Sequence, residues 1–455
     1  MVHSFKYTYG KDYYFLWDVE SGSLLDVDYV AFLCAKKRYG EKFNEQEEKD
    51  FADISKETLD EINNDFCEME NDGVLNSNPL VSEYKKNCDE IKALCLHICH
   101  DCNLNCVYCF AGGGTYNTER DYMSEDVGRR AIDFLLENSG NRKNLEVDFF
   151  GGEPLMNMKT VKEIVRYGNE RAEQIGKKIS FTMTTNCLLL NDENIEYLNE
   201  TMDNVVLSID GREEIHNATR LSRNGKSNYK TILTNAQKFR KVRKDGKYYV
   251  RATFTAKNLD FANDIIALND AGFDQISVEP VVLPDDSPLA LKKEFIETIL
   301  SEYDRFTQLY LDRRKTEKWF NFFHFMIDLE HGACQNKRLT GCGAGTEYLA
   351  VSPTGDIYPC HQFVGKENFK IGTVFEGIKK NEIREQFAEL CVLNKPHCKD
   401  CFAKYNCSGG CTANSYNFTG SLDGQYETGC ILAKKRLECA LAVAGIEKEY
   451  IDNLN

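Results

Sequence analysis

The stretch Ala93-Leu-Cys-Leu-His-Ile98 reads as a short buried strand, and it is followed at once by Cys102-Asn-Leu-Asn-Cys106-Val-Tyr-Cys109. In sheets built from strand–helix units, the chemistry sits where strands finish at their carboxyl ends. Three thiolates at this spacing can cap three irons of a cubane cluster and leave the fourth iron open to an outside ligand. A zinc site is the alternative, but three cysteines in so tight a loop offer no fourth ligand nearby. Cys95 and Cys99, at strand-like spacing before the motif, read as small core residues.

Five more apolar runs follow: Leu145–Phe150, Ile179–Thr184, Asn204–Ile209, Tyr249–Phe254 and Ile276–Val281. Between them lie stretches of helical length and spacing, Ser124–Asn138, Met158–Ile175, Asp192–Met202 and Tyr229–Arg243. Repeated units of this kind predict an α/β fold with a parallel sheet, either an incomplete barrel or an open doubly wound sheet. A long amphipathic helix is expected over about Leu289–Lys315, then an aromatic stretch Trp319–Phe325. After these comes a Cys- and Gly-rich tail with little regular pattern, expected to depend more on metal than on an apolar core. Before the first strand, Tyr13–Trp17 and Leu24–Asp28 read as strands, with a helix to Arg38 and a polar helix over about Asn44–Asn71. A chain of 455 residues suits two or three domains. The divisions expected are 1–90, 91–315 and 316–455.

Composition narrows the function. The chain is 42% hydrophobic and 28% charged, with net charge −16. Residues 1–94 hold 11 basic and 21 acidic side chains, so most of the excess charge lies in the first module. Acidity disfavours a nucleic-acid partner, which needs clustered Lys and Arg. No window has the apolar length of a membrane span, and MVHSFKYTYGKD lacks the apolar core of a secretory signal, so a cytoplasmic protein is expected. Nineteen cysteines in a reducing compartment point to metal, not to disulfides.

The Cys102/Cys106/Cys109 spacing, with Tyr108 before its last cysteine, resembles the CxxxCxxC signature of the radical S-adenosylmethionine (SAM) superfamily. Four further segments fit at the right places. Gly151-Gly152-Glu153-Pro154 closes the second strand, where glycines permit close backbone approach and the carboxylate can hold the SAM ammonium. Thr184-Thr185-Asn186 ends the third strand, Ser208-Ile-Asp210-Gly211 the fourth, and His216 and Arg220 come shortly after. The resemblance implies SAM contacts from Asn186 and Ser208 and a carboxylate contact from Arg220. Read alone, these residues could equally be turn caps or a solvated arginine.

A second constellation comprises Cys342, Gly355-Asp-Ile-Tyr-Pro-Cys360, Cys398-x2-Cys401-x5-Cys407-x3-Cys411 and Cys430. It resembles the SPASM extension of peptide-modifying radical SAM enzymes; the run from Cys398 to Cys411 alone could pass for a zinc ribbon. The resemblance implies one auxiliary cluster on Cys398, Cys401, Cys407 and Cys430 and another on Cys342, Cys360 and Cys411, giving three [4Fe–4S] clusters in all. Either Cys334 or a substrate thiolate would complete the last; we expect the substrate. Cys391 and Cys439 fit no slot.

The first module resembles the winged-helix-like peptide-recognition element of peptide-modifying enzymes, with a three-stranded sheet; otherwise it is a structural cap. The whole pattern resembles the clostridial maturases of Cys-rich SCIFF peptides, relatives of the sactipeptide and ranthipeptide thioether synthases. Such a protein has a partial (β/α)6 barrel and belongs to an anaerobe. It acts on a Cys-rich precursor peptide through its leader and draws electrons from flavodoxin or ferredoxin. Sulfatase-maturing enzymes differ in carrying an Asp after the Gly-x4-Cys cysteine, where this chain has His361. Other peptide modifications (formylglycine formation, decarboxylation, carbon–carbon crosslinking) are the nearest alternatives, and a non-catalytic electron carrier or redox sensor the more distant one.

Overall fold

The structure is a computed structural model that describes residues 1–79, 81–243, 245–329 and 335–452. Its centre is an open sheet of eleven strands. The six expected strands are present as Ala93–Cys99, Asn144–Gly151, Lys178–Thr185, Asn204–Ser208, Tyr248–Phe254 and Gln275–Pro280. They pair in parallel in that order, as the expected incomplete barrel requires. Helices Glu125–Glu137, Met158–Gln174, Asp192–Thr201 and Tyr229–Val242 match the stretches read from periodicity, and Phe261–Asp270 adds one before the sixth strand. Alternation drives the strand packing. In the fifth strand Val250, Ala252 and Phe254 are buried in the core while Tyr249, Arg251 and Thr253 line a central cavity.

Three expectations need correction. The long helix begins at Ile296, behind a single 3₁₀ turn, not at Leu289. Leu289, Ala290 and Leu291 are all buried, and three consecutive buried residues cannot lie on one helical stripe. The polar helix is two, Glu45–Ala52 and Lys56–Asn71, because Ser55 caps the second by accepting from the Thr58 amide. The tail is far more regular than expected. Tyr348–Val351 pairs in parallel with the first core strand, three short antiparallel strands continue the sheet, and a helix spans Glu427–Asp452. Phe363, Phe369, Ile371, Leu437 and Leu441 from this tail join the main core.

The first module is a three-stranded antiparallel sheet, Val2–Tyr9, Lys11–Asp18 and Leu24–Val27, the strand number its resemblance implies, with one of the three, Val2–Tyr9, outside the runs read from the sequence. Phe5, Tyr7, Tyr13, Phe15 and Trp17 belong to the main core, whereas Val2 and Leu16 pack with Phe32, Leu33 and Phe66 of the module's own helices. Among the described residues no helix is long and apolar enough to cross a membrane.

Candidate active site

The motif loop hangs from the end of the first strand, and two glycines let the second strand press against its root. Gly151 has φ +115°, and a Cβ there would lie 2.4 Å from the Cys99 carbonyl oxygen; at Gly152 it would lie 1.8 Å from that of Asp101. In their absence the Gly152 and Glu153 amides donate to those carbonyls at 2.8 and 2.9 Å. Leu104–Cys106 then forms a short ladder with Arg220–Ser222, placing Cys106 across from Arg220. Burial pushes the Cys102 thiol up to about 12 and the Cys106 thiol up to about 11. Each of these thiols feels neighbouring cysteines of the same loop. Iron must therefore displace protons to bind them.

Glu153 is buried with both carboxylate oxygens engaged. Oε1 accepts from the Leu155 amide (3.0 Å) and the Thr185 hydroxyl (2.8 Å), and Oε2 from the Asn186 amide (2.7 Å). Burial nonetheless raises its carboxyl to about 7. This residue thus ties the second strand end to the third, beyond any contact with an ammonium group. The Asn186 side-chain amide reaches the loop, donating to Asn103 at 2.7 Å, and lies 3.7 Å from the Cys102 sulfur. Ser208 lines the cavity at the fourth strand's end.

Arg220 is less free than the sequence suggests. Its Nε lies 3.0 Å from Oδ1 of the buried Asp210, and its guanidinium stands over the Tyr108 ring at 5.6 Å. Asp210 also accepts from the Tyr108 hydroxyl, the Thr219 hydroxyl (2.9 Å) and the Thr253 amide (3.0 Å). Asp210 is therefore the hub that fixes Tyr108 and Arg220 beside the loop, a role its place in Ser208-Ile-Asp210-Gly211 did not reveal. His216, buried behind it, accepts from the Asp210 amide (3.3 Å) and is kept neutral, its pKa lowered to about 4 by burial.

The C-terminal thiols fall into two groups. Cys398 feels the charges of Cys407, Cys430 and Cys401; Cys360 feels those of Cys411 and Cys342. These groupings coincide with the two ligand sets implied by the resemblance. Burial pushes the Cys398 thiol up to about 11 and raises Cys360, Cys407, Cys411 and Cys430 as well. All 18 described cysteines are free, and Cys334 lies outside the described residues. Among the described residues no three His, Cys, Asp or Glu side chains close on a point that would hold a single ion. Sets of three, four and three thiols suit iron–sulfur clusters as donors. Cys391 and Cys439, which fit no cluster slot and could be core or surface thiols, are both buried.

A cavity of about 1310 Å³ joins these parts. Cys102, Cys106 and Cys109 open onto it, as do Cys398, Cys407, Cys411 and Cys430. Trp17, Val19, Ser21 and Gly22 of the first module also line it. So does a charged group that sequence reading missed: Arg251, Glu279, His324 and Arg436. Glu279 lies 2.9 Å from His324 Nε2 and 3.3 Å from an Arg436 guanidinium nitrogen. Burial opposes its charge, but His324, Arg436 and Arg251 outweigh that and hold its carboxyl down to about 2. Burial lowers the pKa of His324 and takes that of His361, between Phe110 and Phe150, down to about 4.

Residues 96–255 match the model of the radical SAM superfamily. The radical SAM cyclopropyl synthase TigE of Paramaledivibacter caminithermalis is 26% identical over 344 residues, 71% of this chain and 68% of that protein. A cysteine-type anaerobic sulfatase-maturating enzyme of Clostridium novyi is 24% identical over 335 residues, 69% of this chain and 86% of that one. The solved structure of native anSMEcpe with bound AdoMet and Cp18Cys peptide shares the fold, with TM-score 0.66 at 18% identity over 79% of this chain and 99% of that chain.

Proposed function

We propose that this radical SAM enzyme forms thioether crosslinks, cysteine sulfur to carbon, in a ribosomally made Cys-rich peptide. The observation that carries the reading is the single cavity onto which thiols of all three groups open. Its volume exceeds the 300–1,000 Å³ usual for a small-molecule site and suits SAM together with a peptide segment. Cys102, Cys106 and Cys109 would hold the SAM-binding cluster, Cys398, Cys401, Cys407 and Cys430 one auxiliary cluster, and Cys342, Cys360 and Cys411 the other. When bound and reduced, the first cluster and SAM supply a 5′-deoxyadenosyl radical, the species able to take hydrogen from an unactivated carbon.

The chain's own residues do the placing. Gly151 and Gly152 bring backbone donors and acceptors against the loop, while Asn186, Ser208 and Arg220, which line the cavity beside it, would hold the methionyl group of SAM. The Asp210 hub fixes Tyr108 and Arg220 beside the loop. Alternation along the fifth strand and the wall of Glu279, His324 and Arg436 shape the peptide's side of the cavity and limit water there. The first module recognises the leader, its edge strand Leu24–Val27 accepting an added peptide strand. A flavodoxin or ferredoxin supplies the electron.

A second reading is another outcome on a peptide, since the relatives include a cyclopropyl synthase and a sulfatase-maturating enzyme. His361 favours the first, because a neutral imidazole at the position of the sulfatase-maturing Asp is a different base. Anaerobically reconstituted protein, with a reductant, SAM and a Cys-rich peptide encoded beside it, decides the matter. A thioether product loses two hydrogens and closes one thiol to alkylation per crosslink. Product with unchanged thiol count excludes thioether formation, and no 5′-deoxyadenosine at all excludes radical chemistry.

A further inference from the structure

We propose that Arg251, backed by Arg436 and His324 around Glu279, is a carboxylate-binding subsite that selects an acidic group on the peptide; this rests on the peptide-modifying reading above. Arg251 projects from the cavity-lining side of the fifth strand, in register with Ser208 on the fourth, and is exposed there. Among the described residues its guanidinium has no ion pair and no hydrogen bond, although its charge is felt at Glu279, His324 and His361. Glu279, the carboxylate that feels its charge, is already shared by His324 and Arg436. Two guanidiniums against one carboxylate leave one positive charge in a concave wall. The planar fork of an arginine matches a carboxylate with two parallel hydrogen bonds.

The carboxylate of SAM is the competing occupant, and the charge map argues against it. That group belongs beside the Cys102–Cys109 loop, and the arginine acting on the loop's Cys106 is Arg220. Arg251 acts instead on residues of the fifth-to-sixth strand wall and on His361, next to Cys360. Two sources remain for a peptide carboxylate, an Asp or Glu side chain or the chain's C-terminus.

Three short N-acetylated peptides separate them: Gly-Cys-Gly-Glu-Gly as the amide, the same peptide with Gln for Glu as the amide, and the Gln peptide as the free acid. Their binding to the reconstituted holoenzyme with SAM is measured by titration calorimetry for the wild type, Arg251→Gln and Arg251→Lys. One charge-assisted pair predicts that the wild type binds a carboxylate peptide about tenfold or more tightly than the Gln amide. Arg251→Gln should erase that ratio and Arg251→Lys restore part of it, with SAM affinity within about twofold throughout. A side-chain source favours the Glu amide, a terminal source the free acid. Equal binding of all three peptides by the wild type, or binding of none, overturns the proposal. So does an Arg251→Gln variant that weakens SAM and leaves the peptide ratio intact. 5′-Deoxyadenosine formation by the wild type, followed in the same samples, reports separately on the radical reading.

Discussion

The Cys102–Cys109 loop and the Cys398–Cys430 group open onto the same cavity but are held in place differently. The loop is fixed by its own sheet: glycines at the second strand's end, a short ladder to Arg220–Ser222, and Glu153 tied to the third strand. The C-terminal group borrows its support from the far end of the chain. Between Cys401 and Cys407, Lys404 and Tyr405 both bind Glu20, in the turn before the first module's third strand, at 2.6 and 2.8 Å. Phe402 stacks on His3 at 3.6 Å, and Cys430 arrives on the terminal helix. The geometry around the Cys102–Cys109 loop is therefore self-contained. The C-terminal group is coupled to the first module through these contacts.

The largest expected effect tests that division. Replacing Cys102, Cys106 and Cys109 together by Ala should remove about a third of the iron and all SAM cleavage, as loss of one cluster of three predicts. Replacing Cys398, Cys401 and Cys407 together should also cost about a third of the iron. In this second variant SAM cleavage continues, now uncoupled from peptide modification. Iron analysis and chromatography of 5′-deoxyadenosine read both. Loss of SAM cleavage in both variants alike would show that the two groups form one unit.

A smaller effect is expected at the joint between the regions. The side chains of Lys404 and Glu20 are only 6% and 4% exposed, so removing Lys404 leaves the buried Glu20 charge with the Tyr405 hydroxyl and no counter-charge. Lys404→Met should cost about 3–5 kcal/mol in denaturant unfolding. It should also speed hydrogen exchange over both 18–23 and 398–411 while leaving 99–109 protected. Adding Glu20→Gln should return part of the loss. Equal loosening of the Cys102 loop would break the comparison.

This contrast also explains what the sequence made legible. The core strands were readable because apolar runs and helical periods are local signals, and the Cys motifs because their spacing is short. Asp210, Glu279, Arg251 and Arg436 were not, because each is an ordinary charged residue until the sheet brings its partners within reach; Arg436 and Glu279 are 157 residues apart. The terminal helix was hidden by cysteines and glycines that looked like loop composition. The first strand, Val-His-Ser-Phe-Lys-Tyr-Thr-Tyr, alternates only loosely, and its pairing with Lys11–Asp18 settles it.

The smallest effect concerns the tie that makes the loop self-contained. In the folded chain the Glu153 carboxyl titrates near 7, against 4.5 when unperturbed, because burial disfavours the charge more than its three hydrogen bonds favour it. The folded state therefore holds a proton that the unfolded state gives up between these values. The associated stability is complete below pH 4.5 and is lost as pH rises through 7, by about 3 kcal/mol at 1.36 kcal/mol per pH unit. A bound cluster adds negative charge beside Glu153 and acts in the same direction. Glu153→Gln cannot titrate, and its amide places a donor where the Asn186 or Leu155 amide needs an acceptor, so it should be less stable at every pH. The informative quantity is the difference between wild type and variant, which should shrink by about 3 kcal/mol between pH 5 and 8 in urea unfolding of the reconstituted protein. A difference that is constant over that range would mean Glu153 stays ionised when folded. It would then act as a permanent anion facing the SAM site, not as a buried strand tie.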